Sequence, residues 1–173
     1  VKTKCKKDGT WEIFLSSLPH GGPYSLTVQG KENCIKIENI LSGDIWLCSG
    51  QSNMEWTVEQ SANSKQEIQN ANYPEIRSLR VPKDIKNNPQ DNFSAKWEIC
   101  LPTTVGTFSG VAYYYARALY KEMQIPIGII NASWGGTDIE TWISNEAFRT
   151  LPADVQKQYN MEVANNLEEY IRQ

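Results

Sequence analysis

The strongest constraint on the fold is a short apolar run that ends abruptly in small polar residues. Residues 45–48 (IWLC) are continuously apolar, and residues 49–52 (SGQS) follow them at once. An unbroken apolar run of this length is typical of a strand buried on both faces of a parallel sheet. The abrupt change predicts that the strand ends there and that the polar residues form a loop at its carboxyl end.

Two further apolar strands and two helices are predicted downstream. Residues 75–82 and 126–133 have the composition of buried strands, and residues 57–71 are polar and helical in pattern. Residues 107–123 predict an amphipathic helix capped by Ser109. Its expected apolar face, at helical spacing, comprises Val111, Tyr114, Tyr115, Ala118 and Leu119. Strands that alternate with helices predict an α/β fold built on a parallel sheet.

The two ends of the chain follow other patterns. Residues 1–42 alternate apolar and polar side chains between turn signals, which predicts a small antiparallel sheet with one buried face. Its three expected strands run through Trp11, Ile13 and Leu15, through Tyr24, Leu26 and Val28, and through Ile35, Ile37 and Ile40. Residues 83–107 predict a long loop with one short apolar element at Trp97 and Ile99. The tail after Asn145 is helical in pattern, with a break at Leu151-Pro152.

Charge and composition exclude several classes of protein. The 173 residues carry a net charge of -3 and are 40% hydrophobic, which gives no electrostatic basis for binding nucleic acid or an anionic membrane. No apolar run approaches the ~20 residues of a membrane span. The N-terminus lacks the apolar core of a secretory leader, so we expect a cytosolic protein or a mature form whose leader has been removed.

The four cysteines do not form a recognisable metal or redox motif. Cys5, Cys34, Cys48 and Cys100 have no C-x-x-C spacing, so neither a zinc site nor a thioredoxin motif is expected. Cys48 lies within a strand pattern and is expected to be a small buried hydrophobe. Cys5 and Cys34 are able to pair if the compartment is oxidising, which the sequence leaves open.

Ser52 is the first candidate for chemistry. A serine that closely follows a buried strand and a small residue, here Gly50, can sit on a sharp turn that exposes its hydroxyl for nucleophilic attack. Asn53 would offer a further hydrogen-bond donor beside it. The alternative is that Ser52 and Asn53 simply cap the following helix, which is a common role of these residue types.

A second candidate stretch, residues 131–142 (NASWGGTDIETW), follows the third strand. Its two adjacent glycines allow close approach of the backbone to a ligand. The alternative is a tight turn in which Trp134 and Trp142 are packing residues. Because the carboxyl ends of parallel strands share one edge of a sheet, this stretch and the Ser52 turn are expected to face each other across one cleft.

A general base for Ser52 is harder to find. His20 is the single histidine, but it belongs to the N-terminal β segment, which favours an ordinary turn residue over a catalytic base. Four acidic residues are expected near the cleft: Asp44, Glu55, Asp138 and Glu140. No histidine or cysteine ligand accompanies them, so we expect no metal site.

Taken together, three stretches closely resemble the sialate O-acetylesterase family, which belongs to the SGNH (GDSL-like) hydrolases. They are residues 8–30, residues 43–56 with the specific string GQSNMEW, and residues 108–144. The resemblance implies a flavodoxin-like three-layer α/β/α fold of the SGNH hydrolase type, here partial and preceded by a small antiparallel β segment. It divides the chain into that β segment, residues 1–42, and the first half of a catalytic domain, residues 43–173. No cofactor is implied.

The resemblance also implies roles for individual residues. Ser52 would be the nucleophile that attacks an acetyl ester of a sugar and forms an acetyl-enzyme. The N–H groups of Ser52 and Gly135 would form the oxyanion hole, with Gly136 as the less favoured second donor. Candidate substrate-binding residues are Gln51, Asn53, Glu55 and Trp134.

The sequence departs from the family in lacking its downstream motifs. The family's third oxyanion donor lies in a W-x-Q-G-E-[ST]-N-type segment and its base in a D-x-x-H pair, and neither motif occurs here. We therefore expect the isolated chain to be inactive and to associate with itself or with a missing C-terminal half.

The substrate and the location of the protein follow from the resemblance alone. The acetylated carbohydrate would be a sialic acid, xylan or another plant glycan, in a secreted, periplasmic or lysosomal setting. The alternative from another class is a carbohydrate-binding fragment that lacks catalysis.

Overall fold

Two β-sheets and a set of short helices make up the part of the chain that the structure describes. A computed structural model describes residues 1–86 and 89–158. The strands are β1 (Gly21–Gln29), β2 (Cys34–Ser42), β3 (Asp44–Gly50), β4 (Tyr73–Arg80), β5 (Trp97–Cys100) and β6 (Ile127–Ser133). The helices are α1 (Ser52–Glu55), α2 (Ser64–Asn70), α3 (Gly110–Met123) and α4 (Asn145–Phe148). Short 3-10 turns lie at Val58–Gln60, Val105–Thr107 and Ile139–Trp142.

The larger sheet has the strand order β3-β6-β4-β5, and its first three strands are parallel. This confirms the predicted α/β class with a parallel sheet. β5 pairs antiparallel with β4, so the short apolar element at Trp97 and Ile99 is a strand at the sheet edge. The prediction of one long loop over residues 83–107 was therefore wrong. A four-residue edge strand and the 3-10 turn Val105–Thr107 are too short to give a periodic signal in the sequence.

Helix α3 packs against β4 and β6 and covers one face of the sheet. Ser109 caps it as predicted, since its Oγ accepts a hydrogen bond of 3.3 Å from the Ala112 N–H. Tyr114 and Leu119 of the predicted apolar face pack against the core, but Val111 and Tyr115 are exposed. The fully buried residues lie on the adjoining stripe: Gly110, Ala112, Tyr113 and Ala116. The helix is apolar around most of its circumference, so spacing alone did not fix which stripe faces the sheet.

The apolar strand β3 lies at the edge of the sheet and not in its centre. Ile45 is 64% exposed and Leu47 is 68% exposed, on the face opposite α3. The expectation of a strand buried on both faces is therefore wrong for the described residues. An apolar run signals that a surface is suited to burial but does not say which segment covers it. On the α3 side, the Trp46 ring meets Tyr115 edge-on, with ring centroids 5.1 Å apart.

The N-terminal segment forms a two-stranded hairpin, not a three-stranded sheet. β1 and β2 pair antiparallel as predicted, but the expected first strand through Trp11, Ile13 and Leu15 is irregular and pairs with nothing among the described residues. Alternation identified side chains able to form a strand, but a strand also needs a partner. Cys5 and Cys34 are both exposed and free, and Cys48 is buried as predicted.

Arg77 of β4 joins the hairpin to the larger sheet. Its Nη1 donates to the Asn39 carbonyl at 2.6 Å and its Nη2 to the Asn39 Oδ1 at 2.7 Å. Asn39 has a positive φ of 58°, a conformation that asparagine adopts more readily than most residues. Burial lowers the pKa of the Arg77 guanidinium.

A cavity of about 440 Å³, lined partly by Ile37 and Ile45, lies between the two sheets.

The C-terminal part is helical where it is described. α4 ends at Phe148 and helical backbone resumes over residues 153–158, which confirms the predicted break at Leu151-Pro152. The helix predicted beyond residue 158 lies outside the described residues. Among the residues that the structure describes, no helix is both long and apolar enough to span a membrane.

The exposed face of β3 predicts self-association of the chain. We expect light scattering with size exclusion to give a mass that rises above 19.7 kDa with micromolar protein concentration. Ile45 and Leu47 form an exposed apolar surface on β3, whose outer edge pairs with no strand among the described residues. Leu47→Glu should restore a monomer. A matched control is Phe14→Glu, at a side chain 83% exposed outside both sheets. A sharp monomer peak for the unchanged chain would contradict this prediction.

Candidate functional site

Ser52 lies two residues beyond the end of β3, on an abrupt turn. Gly50 closes the strand with a φ of 142°, a conformation that side-chain-bearing residues rarely adopt, and Ser52 begins α1. The N-cap position is Gln51, and no side chain caps this helix. Ser52 is exposed, and its Oγ makes no hydrogen bond within residues 1–86 and 89–158. The capping alternative therefore does not describe Ser52, and its hydroxyl is accessible.

The second candidate stretch meets the Ser52 turn directly. β6 ends at Ser133, and the Trp134 N–H donates to the Gly50 carbonyl at 3.0 Å. A Cβ atom added to Gly135 would lie 3.3 Å from the Ser52 Oγ and 2.8 Å from the Glu55 Oε2. A side chain at this position would therefore displace the Glu55 carboxylate and press on the Ser52 hydroxyl, whereas glycine leaves both in place. The predicted meeting of the two strand ends is present in the structure.

Glu55 binds the Gly135 segment to the Ser52 turn. The Gly135 N–H donates to the Glu55 Oε2 at 2.5 Å, and the Lys83 ammonium forms an ion pair with the same carboxylate. The hydrogen bond from Lys83 and then that from Gly135 hold the pKa of the Glu55 carboxyl below its usual range. The Lys83 Nζ also lies 5.6 Å from the ring centroid of Trp134. Glu55 is thus ionised and charge-neutralised beside the serine.

Gln51 fixes the outer part of the same loop. Its Nε2 donates to the Thr137 carbonyl at 2.8 Å, across 86 residues of sequence. The Thr137 Oγ1 donates to the Trp134 carbonyl at 2.7 Å and accepts from the Trp142 Nε1 at 2.9 Å. These bonds hold Trp134 and Trp142 in one hydrogen-bonded loop against the Ser52 turn. Asn53, by contrast, is exposed beside Ser52.

Other sequence candidates lie elsewhere or contribute nothing to this cluster. His20 is exposed immediately before β1, and no hydrogen bond joins it to Ser52 in the described part of the chain. Asp44 was expected near the cleft, but it begins β3 and therefore lies at the opposite end of the strand from Ser52. Asp138 is exposed in the loop after β6, and the Glu140 side chain lies outside what the structure describes.

Lys83 is the residue that the sequence did not point to. It lies in the irregular segment after β4, and its ion pair with Glu55 depends on the parallel pairing of β4 with β6. A lone lysine in a polar stretch carries no pattern that sets it apart. The Gly135–Gly136 pair did carry a signal, since adjacent glycines after a strand predict close backbone approach.

Similarity to solved structures defines the class of protein. The crystal structure of a carbohydrate acetylesterase from Xanthomonas citri superposes with a TM-score of 0.77 and 37% sequence identity, over 79% of this chain and 32% of that one. The family model described as carbohydrate esterase, sialic acid-specific acetylesterase, matches residues 42–169. The chain belongs to this family. The fold is accordingly of the SGNH hydrolase type, preceded by a small antiparallel sheet.

Relatives in animals agree with the family assignment. Human sialate O-acetylesterase is 36% identical over 153 residues, which is 81% of this chain and 29% of the relative. The mouse enzyme of the same name is 35% identical over 157 residues, 83% of this chain and 28% of its own. The chain thus spans less than a third of the length of these relatives.

The Glu55–Gly135 hydrogen bond predicts a distinctive amide signal. At pH 7 the Gly135 N–H proton should resonate far downfield in ¹H–¹⁵N NMR, because hydrogen bonds to charged acceptors are short and strong. The lowered pKa of Glu55 means that the carboxylate stays ionised through the usual glutamate range, and the bond weakens only as the pH falls below that range.

Glu55→Gln should move the Gly135 signal upfield at pH 7, whereas Glu59→Gln, at an exposed glutamate in the next turn, should leave it unchanged. An identical Gly135 resonance in the Glu55→Gln variant would show that the carboxylate is not its acceptor.

Proposed function

We propose that this chain carries the nucleophile part of a carbohydrate O-acetylesterase, a hydrolase that removes acetyl esters from sugars. The single observation that carries the proposal is the contact of the exposed Ser52 with Gly135, at the carboxyl ends of two paired parallel strands. Membership of the carbohydrate esterase family supplies the reaction class. The proposed division is an N-terminal β segment, residues 1–42, and a catalytic portion, residues 43–173.

The chemistry follows from the positions of these groups. The Ser52 Oγ attacks the carbonyl carbon of an acetyl ester, and its proton passes to a general base. The resulting oxyanion accepts hydrogen bonds from the backbone N–H groups of Ser52 and Gly135. The tetrahedral intermediate then collapses: the C–O bond to the sugar breaks, the protonated base gives its proton to the departing sugar oxygen, and the acetyl group stays on Ser52. Water, deprotonated by the same base, hydrolyses this acetyl-enzyme to acetate.

The oxyanion role of Gly135 requires the Glu55 carboxylate to move. In the structure the Gly135 N–H donates to the Glu55 Oε2. A substrate oxyanion would have to replace this carboxylate oxygen as the acceptor. Lys83 offers the displaced carboxylate a partner, since it already pairs with Glu55. Gln51 supports the site by holding the loop through the Thr137 carbonyl, while Asn53 and Trp134 border the space open to a substrate.

We propose that the general base lies outside the described residues. His20 is the single histidine of the sequence, and it lies in the hairpin segment without a hydrogen bond to Ser52. A serine hydroxyl without a base is a poor nucleophile at neutral pH, so we propose that the chain is inactive by itself. The substrate is an acetylated carbohydrate, and the setting a secreted, periplasmic or lysosomal one.

The proposed function can be tested in a chimera in which a relative supplies the general base that we place outside the described residues. A chimera in which this chain replaces the matching part of the Xanthomonas citri carbohydrate acetylesterase should release acetate from p-nitrophenyl acetate. Ser52→Ala in that chimera should lower turnover by about 10³-fold or more, because nucleophile and base act as a unit. The isolated chain, with or without Ser52→Ala, should match the buffer blank.

A matched control is Ser49→Ala, at the exposed serine three residues earlier in β3, which should retain turnover. Ser52-dependent turnover by the isolated chain would mean that a base lies within these residues. A folded chimera that binds sugar without Ser52-dependent acetate release would instead identify a carbohydrate-binding fragment.

A further inference from the structure

A groove of about 360 Å³ lies beside the Ser52 turn, and neither Ser52 nor Gly135 is among the residues that line it. One wall is the segment after β4, including Pro82, Lys83 and Ile85. The other wall is the loop after β6, including Trp134 and Trp142. The volume falls within the range of small-molecule sites. Trp134 connects the groove to the serine, since the next residue, Gly135, contacts the Ser52 Oγ region.

Trp142 is the more accessible of the two aromatic rings. It is 39% exposed, and its Nε1 is fixed by the hydrogen bond to the Thr137 Oγ1, so the ring is held in place with free surface. Trp134 is half-buried, and Lys83 lies over its ring. An anchored, partly exposed indole offers a flat apolar surface with little conformational entropy to lose on binding.

The charges along the groove are balanced in pairs. Lys83 is paired with Glu55, and the Lys86 Nζ lies 2.8 Å from the Asp84 Oδ2. Each lysine that lines the groove within the described residues therefore already has a carboxylate partner. The other polar groups are hydroxyls: the Ser133 and Thr141 Oγ atoms donate to neighbouring oxygens and keep lone pairs that can accept. This lining suits a ligand with many hydroxyl donors and no net charge.

We propose that this groove is a subsite for an uncharged pyranose ring of the acetylated substrate, with Trp142 as its stacking surface. The proposal rests on the proposed function for its carbohydrate class and narrows that class to neutral glycans. An aromatic wall, hydroxyl acceptors and paired charges favour a sugar such as a xylose or hexose unit over a sugar acid. The ring bound here would lie next to the acetylated unit at Ser52.

Binding is measured without turnover, in the 173-residue chain carrying Ser52→Ala. The two probes are partially acetylated xylotriose, which is neutral, and the O-acetylated methyl glycoside of N-acetylneuraminic acid, which carries a carboxylate. The readout is the set of tryptophan indole N–H signals in ¹H–¹⁵N NMR. The neutral probe should shift the Trp142 signal saturably and bind more tightly than the acidic probe.

Trp142→Ala should weaken binding of the neutral probe by about tenfold, the size of effect seen when a central aromatic anchor is removed. Trp142→Phe, which keeps an aromatic ring, should retain most of the affinity, and circular dichroism checks that both variants fold. Trp11→Ala is the matched control, because Trp11 is 50% exposed in the N-terminal segment. It should bind the neutral probe as the parent does.

Tighter binding of the acidic probe would overturn the neutral-glycan assignment. Saturable shifts that do not depend on Trp142, or no shifts with either probe, would overturn the subsite itself. Because Ser52 is absent from this experiment, its result is independent of acetate release by the chimera. Binding here together with no Ser52-dependent turnover there would leave the subsite standing and remove the proposed esterase.

Discussion

The parallel pairing of β3 with β6 is the constraint on which the rest of the site depends. The register aligns Gly50 with Ser133, so the two strands end side by side and their loops begin at the same edge of the sheet. The Trp134 N–H donates to the Gly50 carbonyl, and the next residue, Gly135, therefore lies close to Ser52. A shift of this register would separate the serine from Gly135, where an added Cβ would lie 3.3 Å from the Ser52 Oγ. The chemistry proposed for Ser52 is thus a consequence of strand alignment more than of local motif geometry.

Much of this arrangement could be predicted from the sequence because it follows from local rules. Apolar runs identified β3 and β6, and the strand pattern of residues 75–82 identified β4. A serine or a glycine-rich stretch after a strand identified the sheet edge at which chemistry collects. The resemblance to a known family then added roles that residue types alone left open. The edge position of β3 could not be predicted, because strand order is set by contacts between distant segments. The buried stripe of α3 was missed for a related reason: its residues are apolar on adjoining stripes, and only packing selects between them.

The Glu55 contacts show where sequence reasoning ends in the site itself. The motif around Ser52 placed Glu55 near a substrate, but its two partners come from Gly135 and Lys83, which lie 80 and 28 positions downstream. Neither contact has a sequence signature. Together they leave an ionised, charge-neutralised carboxylate beside the serine, hydrogen-bonded to the Gly135 amide that we propose as an oxyanion donor. Under that proposal, the Gly135 N–H has to leave Glu55 before it can bind an oxyanion.

We propose that Ser52 becomes covalently acetylated during turnover. The most direct measurement is the mass of the Ser52-containing peptide after acid quenching of the chimera during hydrolysis of an acetylated substrate. We expect a peptide heavier by one acetyl group, with that group located on Ser52. The heavier peptide should be absent from the Ser52→Ala variant. Acetate release without any acyl-peptide at Ser52, or an acetyl group on a different side chain, would contradict the account.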